Sequence, residues 1–288
     1  MTPSPELKSR VVHLLGADPV MWTPMRRGYT PAGRWVVRFA TGRSAFVKVG
    51  TTPDTSAWLR AEYGIYSRLR GDFLPVLLGW EDGEAPVLVL EDLSQAAWPP
   101  PWSPGRVEQV RAALAAIAAT PPPPGTPSIA VSHSTLRSWG TVASDPAPFL
   151  SLGLCSPEWL AAALPPLLAA DAAAALDGEH LLHMDVRSDN LCFVGEQAVL
   201  VDWNGACRGN PLVDLAAWLP SLAAEGGPDP LTILPDAPEM AALMAGYFAA
   251  RAGLPHPVGA PRVRAVQLTQ LRVALPWAAA SLGLPPLV

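Results

Sequence analysis

The sequence contains little lysine and little cysteine, and each shortage carries information. Only Lys8 and Lys48 are lysines among the 20 basic residues. A lysine inside a predicted strand of such a chain therefore needs a reason. Cys155, Cys192 and Cys207 are too few and too widely spaced for a disulfide framework or a zinc site.

Long apolar runs are also missing. The most apolar stretches, 159–170 and 273–288, are shorter than a membrane span and contain prolines. Residues 1–10 show no apolar signal region. We therefore expect a soluble, cytoplasmic protein with no membrane partner.

An excess of positive charge is absent as well. The formal net charge is -5, and most of the acidic residues follow residue 97. This balance excludes a nucleic-acid footprint and is compatible with a cationic small-molecule ligand. With 288 residues, of which 50% are hydrophobic, the chain can form one large domain or two lobes.

The most informative segment is 181–203, a polar loop followed by a short predicted hairpin. Asp185 and Asn190 lie in the loop, and Asp202 follows the second apolar run. Phosphoryl transfer from a magnesium nucleotide needs one carboxylate to position the accepting hydroxyl, and an amide and a second carboxylate to hold the metal. Arg187 is placed to reach the transferring phosphoryl group with its planar fork.

A simple surface turn is the alternative explanation of this loop, since Asp, Ser and Asn are common in turns. The continuation argues against it. A predicted hairpin, with Gly195 in its turn, carries Asp202 back to the loop. A carboxylate at the end of a buried strand is costly unless it binds a cation or another partner.

A second set of residues lies near the amino terminus. Residues 34–49 are typical of a β-hairpin, and Lys48 lies in its second strand. A helix is predicted over about 55–70, capped by Asp54 or Thr55, with an apolar stripe that Glu62 interrupts. The stripe consists of Trp58, Glu62, Ile65 and Leu69.

A buried Glu62 would need a partner, and Lys48 is the candidate from a neighbouring element. The alternative is that Glu62 lies at the edge of the stripe and pairs with an arginine. Strands are predicted at 72–80 and 86–91, and a proline-rich connector follows. Helices are then predicted at about 104–119, 157–178, 211–224, 237–252 and 261–282.

Taken together, these residues resemble the aminoglycoside phosphotransferase family, a branch of the protein-kinase-like superfamily that includes choline kinases. The resemblance covers most of the chain. It rests on His183-x-Asp185 with Asn190, on Asp202-Trp203, and on the segment 209–216 with Asp214.

The resemblance implies a role for each matching residue. Asp185 takes the catalytic position, Asn190 and Asp202 take the magnesium positions, and Asp214 braces the catalytic loop. Independently of the resemblance, we expect the His183 imidazole to hydrogen-bond the backbone and shape the loop. The residues implied to bind ATP are Lys48, Glu62, the linker residues Val89, Glu91 and Leu93, and the glycines Gly28 and Gly33.

Differences from the motifs of other nucleotide-binding families exclude some related functions. Residues 26–37 contain Gly28 and Gly33 but no clear nucleotide-loop pattern, and Arg34-Trp35 replaces the Lys-Ser/Thr of a Walker A loop. Met184 stands between His183 and Asp185, where protein kinases carry arginine. A protein kinase is therefore disfavoured.

The resemblance implies an α+β, bilobal protein-kinase-like fold. We expect a small antiparallel N-lobe with one main helix over 1–93 and a larger, mostly helical C-lobe over 94–288. The implied function is transfer of the γ-phosphoryl group of ATP, with Mg²⁺, to a hydroxyl of an aminoglycoside-like or other amino or sugar alcohol. Two alternatives stay open: a metabolite kinase unrelated to antibiotics, and a non-catalytic nucleotide-binding pseudokinase.

Overall fold

In the computed structural model, residues 2–25, 31–257 and 260–287 are described, and they form two compact units. The sheet unit comprises Met1–Pro99 and Asp189–Ala206. The helical unit comprises Pro100–Ser188 and Cys207–Val288.

The elements alternate in the first third of the chain and become mostly helical afterwards. The strands are β1 (Met21–Pro24), β2 (Gly33–Arg38), β3 (Ser44–Val49), β4 (Leu77–Glu81), β5 (Val87–Glu91), β6 (His180–Leu182), β7 (Leu191–Val194), β8 (Gln197–Leu200) and β9 (Cys207–Gly209). The helices are α1 (Pro5–Leu15), α2 (Pro53–Tyr66), α3 (Pro104–Ala119), α4 (Ile129–Ser132), α5 (Trp139–Ser144), α6 (Ala147–Leu150), α7 (Pro157–Ala173), α8 (Leu212–Ala224), α9 (Pro230–Ile233), α10 (Pro238–Ala252) and α11 (Val263–Ser281).

The sheet unit is built on an antiparallel sheet with strand order β1-β2-β3-β5-β4. The predicted hairpin at 34–49 is present as β2 and β3, with Gly42 in the left-handed region at φ 85°. Alternate residues of β3 point into a core that includes Val47 and Val49. Helix α1, which the sequence patterns did not indicate, adds Leu7 and Val11 to this core.

Helix α2 starts earlier than the sequence predicts. Its N-cap is Thr52, not Asp54 or Thr55, because Thr52 and Thr55 form a reciprocal capping box. The predicted stripe is wrong at Trp58, which is 41% exposed. Leu59 takes its place on the buried face, on which Glu62 also lies.

The hairpin of β7 and β8 packs within the sheet unit although it follows in the chain after much of the helical unit. Ala97 and Phe193 exchange backbone hydrogen bonds, and the Leu200 N–H donates to the carbonyl of Phe73 at 2.9 Å. Leu93 also packs against the hairpin in a small apolar cluster. The compact sheet unit thus extends beyond residue 93 and includes 189–206, whereas the predicted lobes, 1–93 and 94–288, are each continuous in sequence.

The helical unit has α10 at its centre, packed against α11, α7, α5 and α8. The predicted helix at 104–119 matches α3, whereas α7 ends at Ala173, before the predicted 178. Strands β6 and β9 pair antiparallel, and the segment 183–206, which contains Asp185, Asn190 and Asp202, lies between them in the chain. No helix in the described part of the chain is long and apolar enough to cross a membrane.

Candidate active site

Lys48, Glu62 and Asp202 form one ion-paired cluster in the sheet unit. Lys48 Nζ donates a short hydrogen bond to Glu62 Oε1 and another to Asp202 Oδ1 at 2.6 Å. The Glu62 side chain is only 1% exposed, whereas the Asp202 side chain is 35% exposed. The alternative in which Glu62 lies at the stripe edge and pairs with an arginine is therefore wrong.

Burial and the charges of neighbouring groups act in opposite directions on the pKa values of these three side chains. Burial lowers the pKa of Lys48, but the charges on Glu62 and Asp202 outweigh burial and raise it. Burial raises the pKa of Glu62 to about 8 against the pull of the Lys48 charge. For Asp202 burial acts upward, but the Lys48 charge holds the pKa well below its usual range. Lys48 is thus kept as an ammonium and Asp202 as a carboxylate.

Asn190 and Asp202 lie at the same end of the hairpin of β7 and β8. The Val201 N–H donates to the Asn190 carbonyl at 2.8 Å, so Asp202 follows directly on a residue hydrogen-bonded to Asn190. Asn190 is buried. Asp202 has a left-handed backbone, φ 68°, which is costly for a residue other than glycine and is found mostly at functional sites.

The chemistry of these two donors fits magnesium. An amide oxygen and a carboxylate oxygen are hard ligands, and Mg²⁺ in nucleotide sites takes the rest of its shell from phosphates and water. Across residues 2–25, 31–257 and 260–287, no group of three or more His, Cys, Asp or Glu side chains is arranged to hold a metal by itself.

The predicted linker residues lie on and after β5. Val89 is buried in the middle of the strand, opposite Val47 of β3 and Gly79 of β4. Glu91 ends the strand, and its backbone N–H donates to the Val76 carbonyl at 2.9 Å. The Leu93 carbonyl accepts from the Trp98 indole at 3.0 Å.

The two predicted glycines have different outcomes. Gly33 is the first residue of β2 and lies opposite Val49. A Cβ at Gly33 would lie 2.6 Å from the ring of Trp35, so a larger residue would displace that indole. Gly28 falls outside the described residues.

In the helical unit, Asp185 and Arg187 form a two-point ion pair. Arg187 Nε lies 2.8 Å from Asp185 Oδ1, and its Nη2 donates to Oδ2 at 3.3 Å. The Asp185 side chain is 42% exposed, so it remains accessible to a ligand. Its backbone N–H donates to His183 Nδ1 at 3.2 Å, which makes Nδ1 an acceptor and matches the loop-shaping role expected for His183.

Asp214, in the first turn of α8, holds the start of this loop. Its Oδ2 accepts from the His183 N–H at 2.6 Å and its Oδ1 from the Met184 N–H at 2.7 Å. Met184 is the other non-glycine residue of the described chain with a left-handed backbone, φ 68°. Burial raises the pKa of Asp214, although His183 and these N–H donors act against it.

Tyr66 is a neighbour of the site that no motif indicated. It lies one helical turn beyond Glu62 on α2 and is buried. Burial raises the pKa of Tyr66 well above its usual value, and the charges on Glu62 and Asp202 add to this. The only sequence signal was its four-residue spacing from Glu62.

Comparison with known proteins supplies a family. The family model described as the phosphotransferase enzyme family matches residues 22–256. No individual curated protein matches the chain significantly.

Several solved structures share the fold. A choline/ethanolamine kinase family protein from Mesorhizobium loti is 15% identical, with 96% of this chain and 97% of that chain covered and a TM-score of 0.57. Spectinomycin phosphotransferase, solved with ADP and spectinomycin, is 14% identical, with 94% and 98% covered and a TM-score of 0.56. Plasmodium vivax ethanolamine kinase is 13% identical, with 91% and 83% covered and a TM-score of 0.52. The predicted α+β, protein-kinase-like fold is confirmed.

Proposed function

We propose that this chain, which belongs to the phosphotransferase enzyme family, is an ATP-dependent phosphotransferase that acts on a small-molecule hydroxyl, and that its two units divide this task. The sheet unit holds the nucleotide and the metal. The catalytic loop of the helical unit orients the acceptor.

One observation carries this proposal: Lys48 is buried and shared between Glu62 and Asp202. Burying a lysine with two acidic partners costs desolvation free energy, which indicates that the ammonium has a functional role. We assign Lys48 to the α- and β-phosphates, with Glu62 holding it in place. Since the Asp202 carboxylate is partly exposed, it can release Lys48 when a nucleotide binds.

The metal role falls to Asn190 and Asp202. A bound Mg²⁺ supplies charge neutralisation on the phosphate oxygens. Asn190 presents a neutral oxygen and Asp202 a charged one, and the hairpin keeps both at one end. Glu91 and Leu93, at the end of β5 and just beyond it, are assigned to the adenine through their backbone. Val89 is assigned to apolar contact, and Gly28 and Gly33 to the phosphate loop.

Asp185 is assigned to the acceptor hydroxyl. A carboxylate in this role orients the alcohol and takes its proton late in the reaction, an effect typically worth about 10²–10⁴ in rate. Arg187 is already paired with Asp185, so its guanidinium is positioned to stabilise the phosphoryl group as well as that carboxylate.

For the acceptor we propose a cationic small molecule, taken up in the cytoplasm where ATP is available, with no nucleic-acid or membrane partner. The acidic residues that follow residue 97 support this. Two of the structural neighbours are named for spectinomycin and ethanolamine, both of which carry amines. A metabolite kinase and an antibiotic-modifying kinase fit these observations equally.

The test is an ADP-release assay with Mg·ATP across aminoglycosides, amino alcohols, neutral sugars and nucleosides. We expect release to be stimulated by a compound that carries an amine. Stimulation by neutral sugars alone would contradict the cationic acceptor. A thermal-unfolding scan with and without Mg·ATP serves as the control, and the absence of any stabilisation would contradict the nucleotide assignment itself.

A further inference from the structure

The carboxyl end of α8 carries an acid where helix electrostatics disfavour it. Glu225 is the C-cap of α8, and the last turn contains no basic residue. The carboxyl end of a helix has partial negative charge, so a carboxylate there is locally unfavourable. The contacts of Glu225 must therefore account for its position.

Both oxygens of Glu225 are engaged. Ser188 Oγ donates to Oε1 at 2.5 Å, and the Trp102 indole donates to Oε2 at 2.9 Å. The Trp102 ring also packs edge-on against the fully buried Trp218 at 5.6 Å between centroids. Hydrogen bonds to an ionised acceptor are the stronger kind, so these two contacts hold Glu225 and Ser188 firmly.

The two ends of helix α8 therefore bind the two ends of the catalytic loop. Asp214, in its first turn, holds the N–H groups of His183 and Met184, and Glu225, at its last, holds Ser188. The eleven steps from Asp214 to Glu225 rise about 16 Å along a helix, so the two anchors lie well apart.

We propose that Glu225 is a positioning residue that fixes Ser188 and so keeps Asp185 and Arg187, which lie between the two anchors, in their working arrangement. The inference rests on the proposed function, in which Asp185 orients the acceptor. Glu225 acts through the loop: its carboxylate is held between the Trp102 indole and Ser188, and Ser188 belongs to the loop.

The experiment measures the slow hydrolysis of Mg·ATP, with water as the acceptor, and uses Glu225→Ala, Ser188→Ala, the double variant and Glu225→Gln. We expect each alanine variant to lower kcat about 10- to 100-fold, because small misplacements of catalytic groups have effects of this size. KM for ATP should stay within about twofold, since the nucleotide residues lie in the other unit.

The double variant should be no slower than the slower single variant, because both substitutions break the same link. Glu225→Gln should recover most of the activity, since an amide can accept from the indole and donate to the serine hydroxyl. Hydrogen exchange of the amides of 184–188 should rise in Glu225→Ala. Glu108→Ala, which removes an exposed carboxylate with one ion-pair partner, Arg111, is the matched control.

Additive losses in the double variant, unchanged kcat, or unchanged exchange in Glu225→Ala would overturn the positioning role. Asp185→Asn separates the two proposals. If it hydrolyses ATP like the unaltered enzyme, the proposed function fails. If it is inactive while Glu225→Ala is fully active, only the role of Glu225 fails.

Discussion

Asp202 in the sheet unit and Asp214 in the helical unit are both held by hydrogen bonds, but to different kinds of donor. Asp202 binds a lysine ammonium and is partly exposed, whereas Asp214 is buried and binds two backbone N–H groups. The pKa of Asp202 is lowered by Lys48, while burial raises that of Asp214. In the proposed function the first carboxylate exchanges its partner for a metal, whereas the second stays bound to the backbone of the loop.

We therefore propose that the sheet unit binds the nucleotide and the metal, and that the helical unit sets the geometry of the loop. In the sheet unit the site residues form a charged cluster, Lys48, Glu62 and Asp202. In the helical unit Asp214 holds the backbone of the loop at His183 and Met184, and the Asp185 carboxylate is left partly exposed. Substitutions in the two units should therefore have different consequences.

The largest expected effect comes from Asp185→Asn. Turnover should fall by about 10²–10⁴, the range for loss of a general base, because the amide can orient the hydroxyl but cannot accept its proton. Single-turnover kinetics with an active acceptor would measure this. Turnover within twofold of the unaltered enzyme would contradict the assignment.

Lys48→Met should act on folding as well as on activity. It leaves Glu62 buried without its cation, and breaking a buried pair typically costs about 3–5 kcal/mol. Denaturant unfolding measures the loss. Adding Glu62→Gln should restore a large part of the stability but none of the activity, and a double variant as unstable as the single one would contradict the pairing.

The features that could be predicted from the sequence alone differ between the two units. The Lys48 strand was predictable because alternating apolar residues define its faces, and the Glu62 partnership because a carboxylate interrupted an apolar stripe. The start of α2 was not, since the capping box between Thr52 and Thr55 is a side-chain arrangement that competes with neighbouring caps.

In the helical unit, Asp185 and Asp214 were indicated through their motif, but Ser188 and Glu225 were not. Their hydrogen bond joins residues 37 positions apart, and no periodicity or local spacing reports such a contact. Helices α4, α5, α6 and α9 were also missed, since elements of four to six residues are too short to show a 3.6-residue pattern.

Asp214→Ala should produce a smaller loss of stability than Lys48→Met. It leaves two N–H groups, those of His183 and Met184, without their acceptor, and an unsatisfied buried donor costs about 1–3 kcal/mol. Turnover should fall while the affinity for Mg·ATP is kept. Calorimetric unfolding would measure the loss of stability, and nucleotide titration would measure the affinity. A loss of nucleotide affinity as large as the loss of turnover would contradict the assignment of the two roles to different units.

The smallest effect concerns Asp171 of α7, a buried acid outside the site. Burial raises its pKa to about 6, against hydrogen bonds from the Trp139 and Ser138 backbone. The folded state therefore binds a proton more readily than the unfolded state, so this group's contribution to stability is present below about pH 4 and is lost as pH rises through about 6. Asp171→Asn should flatten stability between these pH values, and an unchanged pH profile would contradict this.

The central claim is that nucleotide affinity resides in the Lys48 cluster and phosphoryl transfer in the Asp185 loop. Isothermal titration of a non-hydrolysable Mg·ATP analogue into Asp185→Asn and Lys48→Met tests it most directly. We expect unchanged affinity in Asp185→Asn and at least about tenfold weaker binding, or about 1.4 kcal/mol, in Lys48→Met. Equal affinities in the two variants would contradict it.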